Sequence, residues 1–598
     1  MKTFLILIAL LTVAVDATGQ QTGLIQNVGG RTAVSLDGQW KVIVDPYDTG
    51  SSNNGFFKDA QPKSKSEFVE YNFDASESLS VPGDWNSQRE RLFFYEGAVW
   101  YKKSFDYQRP ANSRVFAYFG AANYLADVYL NGSKVGRHEG GFTPFNFEIT
   151  NLLHEKDNSL IVKVDNKRSR EAVPTVMTDW WNYGGLTRQV MLIEVPQTFV
   201  QDYFIQLRKS ANNRIAGWVK LNGEQAAQKI RIQIPEAKID NTFETDANGT
   251  ATIDLNANLT LWSPQQPKLY EVIISTANDT VRDQIGFRNI EVKGPDILLN
   301  GRPIFLRGVC IHEEAPIRGG RSFSQEDARI LLGWAKELGC NFVRLAHYPH
   351  NEFMIREADR LGLMVWSEIP VYWGIQWDNP VTLANAQNQL TEMIARDRNR
   401  SAIILWSMAN ETPQGEARLS FISKLAELTR TLDPTRLVTA AMLNHYEGQT
   451  TKVIDDPLSE SLDVVGCNEY IGWYDGLPSK ADNMEWKTHY QKPVVMSEFG
   501  GEAQYGRHGD DLTRWTEEYQ ENLYRHQIAM LKRISFLRGT APWILMDFRS
   551  PRRLLPQIQD YYNRKGLLSS RGEKKKAFYV MQEFYRELRE RSLQNGGQ

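Results

Sequence analysis

From about residue 31 to 290 the chain runs in short alternations of apolar and polar positions, broken repeatedly by turn formers. Val115-Phe116-Ala117-Tyr118-Phe119, Ala126-Asp127-Val128-Tyr129-Leu130 and Leu160-Ile161-Val162-Lys163-Val164 are short, β-branched and aromatic runs of the kind that form pleated strands. Asn131-Gly132 follows the second of them and marks a hairpin, because the favoured tight turn needs positive φ at both central positions. Little here repeats every 3.6 residues, so β-sandwiches are expected. A break near Pro196 divides the region. Residues 21–196 form one unit and 197–294 a second, immunoglobulin-like sandwich with runs such as Ile230-Arg231-Ile232-Gln233-Ile234 and Tyr270-Glu271-Val272-Ile273-Ile274.

Beyond residue 300 the texture changes. Eight short apolar runs, at 304–309, 342–345, 364–368, 402–408, 437–440, 463–468, 494–498 and 541–545, alternate with segments of helical period. Ser324-Gln325-Glu326-Asp327 resembles a capping box ahead of a helix over 328–338, and 383–396 reads as another helix. Eight βα units within residues 295–598 predict a (β/α)₈ TIM barrel. A doubly wound open sheet is the alternative, but no Gly-rich phosphate loop follows any strand. The expected fold class is multidomain, β followed by α/β.

Composition narrows the function. The 598 residues carry a net charge of about −3, so no basic surface asks for nucleic acid. Aromatic residues make up 11%, with 16 Trp, which suits either sugar recognition or the packing of large β domains. Residues 1–20 have a charged start, the apolar run Phe4-Leu5-Ile6-Leu7-Ile8-Ala9-Leu10-Leu11 and an Ala-x-Ala-like site ending at Ala17. This is the pattern of a cleaved export signal, so a secreted or periplasmic protein is expected, with no lipid-anchoring Cys after the run. The run is too short to span a bilayer, and no other apolar stretch approaches the length needed. Cys310, Cys340 and Cys467 are odd in number and widely spaced, which predicts buried thiols rather than a disulfide framework.

A barrel carries its chemistry at the C-terminal strand ends. Those ends are polar here: His312-Glu313-Glu314, Arg344 with His347, Glu368, Asn410-Glu411, Asn468-Glu469-Tyr470, Glu498, and Trp543 leading to Asp547. Glu411 and Glu498 follow the fourth and seventh runs, which lie on opposite sides of one barrel mouth. Two carboxyls flanking one bond are what glycoside hydrolysis needs, one to protonate the leaving oxygen and one to attack or activate water. A solvated strand-end charge is the plainer reading of either one alone, but two of them sharing a rim with His, Asn, Tyr and Trp favour catalysis. Divalent metal binding by His312, His347 and the carboxylates competes, although no His-Glu-x-x-His helix is present. A serine hydrolase is disfavoured because Gly-x-Ser-x-Gly is absent.

The chain resembles glycoside hydrolase family 2, the β-glucuronidase and β-galactosidase family, over nearly its whole length. Val81-Pro82-Gly83-Asp84-Trp85, His138-Glu139-Gly140-Gly141-Phe142 and Asp179-Trp180-Trp181-Asn182-Tyr183-Gly184-Gly185 resemble the family's sugar-binding jelly roll. Asn341-Phe342-Val343-Arg344-Leu345-Ala346-His347, Trp406-Ser407-Met408-Ala409-Asn410-Glu411 and Met496-Ser497-Glu498-Phe499-Gly500 resemble its barrel motifs. The resemblance implies a retaining exo-glycosidase with Glu498 as nucleophile and Glu411 as acid/base. Retaining carboxyls stand about 5–5.5 Å apart. Arg344, His347 and Tyr470 are expected to lower the proton affinity of Glu498. Asn410 is implied to contact the sugar 2-hydroxyl.

Asn563-x-Lys565 is similar to the motif with which β-glucuronidases hold the substrate carboxylate, and Tyr474 matches a carboxylate-contacting Tyr. Asp179 matches an acidic residue that reaches the sugar hydroxyls, and Trp543 a pocket wall. His312, Arg344, His347, Asn468 and Tyr470 complete the implied substrate set, with neither cofactor nor metal. The implied partner is a glucuronide or a uronic-acid-containing glycan, not nucleic acid or membrane. Family members are often homo-oligomers. One departure stands out. Many glucuronidases carry Arg where this chain has Gln559, and Arg549, Arg552 and Arg553 lie in the neighbouring loop. β-Galacturonidase and β-galactosidase activity therefore remain alternatives, and a non-catalytic sugar-binding protein is the alternative of another class.

Overall fold

A computed structural model describes residues 23–51, 55–62, 64–67, 69–224 and 227–594. The export signal expected at 1–20 lies outside them. The first sandwich sets a six-stranded antiparallel sheet against a four-stranded one. Strand Ser113–Phe119 shows how alternation builds it. Val115, Ala117 and Phe119 enter the sandwich core with Trp40, Tyr101 and Phe147. Phe116 and Tyr118 point the other way, into a cluster with Ile25 and Phe199. Asn131 and Gly132 both have positive φ, 51° and 80°, as the hairpin requires. The second sandwich packs three strands on four, around Tyr203, Val219, Ile232 and Val272.

The C-terminal region is a parallel barrel. Its first strand β1 is split into Leu306–Arg307 and Cys310–Ile311. The other seven are β2 Phe342–Leu345, β3 Met364–Glu368, β4 Ile403–Asn410, β5 Leu437–Met442, β6 Val464–Asn468, β7 Val494–Glu498 and β8 Leu537–Thr540. One half of β1 pairs with β8 and the other with β2, and this split strand closes the circle. A Cβ at the break, Gly308, would run into the Phe342 ring, so glycine lets the strand pass close to its neighbour.

Two expectations need correction. The eighth strand is Leu537–Thr540, not 541–545. Pro542 has no N–H to give to a ladder. The run beyond it bonds its neighbours one residue at a time, Trp543 N–H to Phe499 C=O at 2.9 Å and Leu545 N–H to Cys310 C=O at 2.9 Å. Nor are there eight βα units. α-Helices follow β1 (Gln325–Glu337), β2 (Glu352–Leu361), β3 (Pro380–Asp397), β4 (Glu416–Leu432), β7 (Glu517–Leu531) and β8 (Lys576–Gln594). Between β5 and β6, and between β6 and β7, stand short 3₁₀ turns and a three-stranded sheet. The capping box is present: the Ser324 hydroxyl accepts from Asp327 N–H at 3.0 Å, and the Asp327 carboxylate accepts in return from Ser324 N–H at 3.2 Å. The three cysteines are free and buried.

Buried polar pairs lock the first sandwich to the barrel. Arg188 donates to Glu313 at 3.1 Å and to the Pro349 carbonyl at 2.7 Å. Glu314 accepts from the Tyr183 hydroxyl at 2.9 Å and from Arg549 N–H at 3.1 Å. Burial pushes the Glu314 carboxyl up from its ordinary 4.5 to about 7, despite those donors. Below pH 4.5 it is protonated folded or unfolded. As pH rises toward 7 the unfolded chain gives up its proton while the folded one keeps it, so stability falls by up to about 3 kcal/mol. Glu314→Gln keeps the acceptor and removes the ionisation. Denaturant unfolding should show the variant more stable than wild type at pH 8, with the gap closing at pH 4.

Candidate active site

β4 explains how a hydrophobic strand delivers polar chemistry. Ile403, Ile404, Leu405 and Trp406 are fully buried in the barrel wall. Asn410 ends the strand, and Glu411 follows in the left-handed region at φ 49°. A residue with a Cβ pays about 1–3 kcal/mol to stand there. The surroundings hold it: Glu411 N–H donates to Ala441 C=O at 2.9 Å. One carboxyl oxygen accepts from Trp373 Nε1 and the other from Asn468 Nδ2, each at 3.0 Å.

Glu498 ends β7. The chain turns away at Gly500, φ 127°, where a Cβ would meet the Tyr524 hydroxyl, so only glycine fits. Glu498 Oε1 accepts from Arg344 at 2.8 Å and Oε2 from the Tyr470 hydroxyl at 2.6 Å. His347 Nε2 stands 3.9 Å from Oε1. Both oxygens thus face groups that bring their own hydrogens, the geometry of a carboxylate. The three expected donors do each pull its proton affinity down, but they do not set the net direction. Burial pushes the carboxyl up, Arg344 pulls it down, Glu411 pushes it up again, and His347 and Tyr470 pull it down; the net direction is upward. Full desolvation outweighs three donors.

Arg344 is the hub. It is fully buried and also donates to Glu368, at 3.0 Å from Nη2, and to Asn410 Oδ1 at 2.7 Å. Glu368 accepts from His347 at 2.8 Å and from Trp366 Nε1 at 2.7 Å. Burial acts to raise its pKa, but Arg344 and His347 hold the carboxyl down at about 2. Ser497 donates to Asn468 Oδ1 at 2.8 Å, which turns the Asn468 amide N–H₂ toward Glu411 and Asn410. Asn410 spends its oxygen on Arg344 and Asn468; its Nδ2 is buried with no partner among the described residues. His312 lies under Phe548, ring centres 4.2 Å apart, and bonds the Tyr348 hydroxyl at 3.1 Å. Burial drives its pKa well down, so the imidazole is neutral, and its Nε2 is likewise unpartnered. Trp543 stacks on His347 with centres 4.7 Å apart.

A second group assembles beside this one. Lys565 is buried and donates to the Tyr474 hydroxyl at 2.8 Å. Asn563 accepts from Lys565 N–H at 3.1 Å and donates to Asp179 at 3.2 Å. Asp179 comes from the first sandwich, and Ser550 and Arg553 of the β8 loop also hold it, at 2.6 and 2.5 Å. Of the three arginines in that loop, only Arg553 joins this group. Arg549 lies over Tyr562 and Arg552 over Trp373, at 4.1 and 4.5 Å. Gln559 donates to Glu502 at 2.9 Å, and Glu502 stands 3.6 Å from Lys565 and 3.7 Å from Arg553. Lys565 therefore keeps an N–H free for a ligand, next to carboxylates that balance the two cations. Asp547 stays outside the mouth, buried on Lys575 at 2.7 Å.

All thirteen sequence-predicted site residues line these two joined groups. Glu368, Trp373, Glu502 and Arg553 belong with them. Glu368 and Arg553 carried a signal, as a strand-end carboxylate and a loop cation. Trp373 carried only a weak one, its place after Tyr372 beyond β3, and Glu502 none beyond its place four residues after Glu498.

The model of the glycosyl hydrolases family 2 TIM barrel domain matches residues 290–589. The family's sugar binding domain matches 33–196, and its remaining domain 198–288. A beta-glucuronidase of Paenibacillus borealis is 27% identical, over 94% of this chain and 98% of its own. The solved Bifidobacterium dentium beta-glucuronidase, complexed with coumarin-3-O-glucuronide, superposes with a TM-score of 0.81 at 26% identity, over 94% of this chain and 98% of its own. A beta-galacturonidase of Eisenbergiella tayi bound to galacturonate has the same fold, TM-score 0.78 at 23% identity, covering 95% and 99%.

Proposed function

Because the chain belongs to glycoside hydrolase family 2, we propose that it is a retaining, exo-acting β-glucuronidase that removes terminal β-D-glucuronic acid from glucuronides or glycan ends. The observation that carries the choice of sugar is the buried Lys565 held by Tyr474 and Asn563 beside the paired carboxyls. A uronate adds a carboxylate that a buried ammonium and an amide can neutralise and bind. The curated and solved relatives named beta-glucuronidase support the same choice.

Glu498 attacks the anomeric carbon while Glu411 gives its proton to the leaving oxygen. Arg344 and Tyr470 aim the attacking carboxylate through their bonds to its two oxygens. The Asn410 amide, with its N–H₂ unspent, donates to the 2-hydroxyl, and His312 Nε2 serves another hydroxyl. Once the ester forms, the charge on Glu498 is gone. Glu411 then takes a proton from water, which attacks from the face the leaving group vacated. We also infer export of the enzyme, on the pattern of residues 1–20.

The test compares nitrophenyl β-glucuronide, β-galacturonide and β-galactoside. The glucuronide should be the best substrate. Lys565→Ala should lower its kcat/KM on the order of 10²-fold, the cost of leaving a buried carboxylate unpaired. Preference for the neutral galactoside, untouched by Lys565→Ala, would show that the pocket holds no carboxylate.

A further inference from the structure

A cavity of about 350 Å³ lies between the first sandwich and the β8 loop. We propose that it is the leaving-group subsite of the enzyme and that it takes a sugar ring carrying an anionic substituent. The proposal rests on the glycosidase reading above and names what that reading leaves open, the group released.

Position is the first argument. Arg552 lines the cavity and lies over Trp373, whose indole N–H donates to Glu411. Trp180 lines it too, and its ring centre is 4.9 Å from Tyr372 and 5.7 Å from His347. Glu411 protonates the leaving oxygen, so the leaving group lies on its side, and Arg552 and Trp180 bring the cavity wall to that side through Trp373 and Tyr372. The size suits a small ring.

The walls are the second argument. Phe94, Val176 and Met177 line the cavity and are 65%, 55% and 57% exposed. Phe94 stands edge-on to Tyr561, and Trp181 tilts against it at 5.6 Å. An exposed apolar cluster at the rim of a polar mouth marks a binding surface. Ring C–H faces pack on such walls.

Charge is the third. Arg168 and Arg552 both line the cavity; Arg168 donates to the Thr178 hydroxyl and Arg552 lies over Trp373, and among the described residues neither has an ion pair within 4 Å. The opposing carboxylate in the lining is Glu96, which accepts from Asn182 at 2.8 Å. Two cations face one anion. A sulfate or carboxylate on the incoming ring restores the balance and accepts charge-assisted hydrogen bonds from a planar guanidinium.

The experiment uses the full chain and four β-glucuronides, of 4-nitrophenol, of a neutral hexose, of the same hexose sulfated, and of a uronic acid. Wild type should cleave at least one anionic glycoside about tenfold better in kcat/KM than the neutral hexoside. Arg552→Gln and Arg168→Gln should each pull that ratio toward one, and the ratio cancels any shared effect on the chemistry. Phe94→Ala, at an exposed position that costs the fold little, should raise KM for all three sugar glycosides more than it lowers kcat. Turnover of the nitrophenyl compound with no anionic preference, or a preference unmoved in both arginine variants, overturns the subsite. No turnover of any glucuronide overturns the functional reading beneath it.

Discussion

Glu498→Ala should cut turnover of every substrate on the order of 10⁴-fold or more, because in the proposed mechanism it removes the bond-forming atom itself rather than a contact to it. The variant should still fold. Arg344 loses one carboxylate but keeps Glu368 at 3.0 Å, so no buried cation is left alone. Circular dichroism and the thermal midpoint should therefore change little while activity disappears. A small anion such as azide fits where the carboxylate stood. It should restore turnover of a nitrophenyl glycoside and give a glycosyl azide of inverted configuration. Activity that survives the substitution would place the nucleophile elsewhere.

The same hub explains what was legible in the chain. β2, β3 and β7 were readable to the residue, since each is a short apolar run buried on both faces with a charge at its last or next-to-last position. β8 was not. Its Leu-Arg-Gly-Thr is less apolar than the 541–545 run that follows, and apolarity alone cannot tell a laddered strand from a buried crossing. The connections around β6 escaped because the chain length suited helices, while the chain folds as 3₁₀ turns and a small sheet. Both carboxyls, Arg344 and Tyr470 announced themselves as polar groups at strand ends, and Lys565 through its resemblance to a family motif in the last loop. Glu502 and Trp373 did not, for their roles exist only through contacts that cross the mouth. Asp179 and Arg553 meet across 374 positions of sequence, a pairing that no local pattern encodes. The upward shift of Glu498 was hidden for another reason. Its donors were visible as residue types, but the depth of its burial was not.

Glu411 differs from Glu498 in what its loss should spare. In the proposed mechanism Glu411→Ala removes a proton donor, so the penalty should follow how much the leaving group needs that proton. For sugar and alkyl glycosides, whose departing oxygen is strongly basic, kcat should fall on the order of 10³–10⁴-fold. For nitrophenyl glycosides the first step needs little help, while the second loses its base. The glycosyl-enzyme ester should accumulate, and a burst of nitrophenol should precede a slow steady state. Azide needs no deprotonation. Placed on the face that Glu411 guarded, it should attack the ester and yield a glycosyl azide of retained configuration, opposite to the product from Glu498→Ala. The fold should tolerate this change too. Asn468 keeps Asn410 at 3.2 Å and Ser497 at 2.8 Å, and Trp373, half-buried, exchanges its lost acceptor for water. Opposite azide configurations from the two variants would assign one carboxyl to each face of the sugar. Identical products would mean the roles given to Glu411 and Glu498 are wrong.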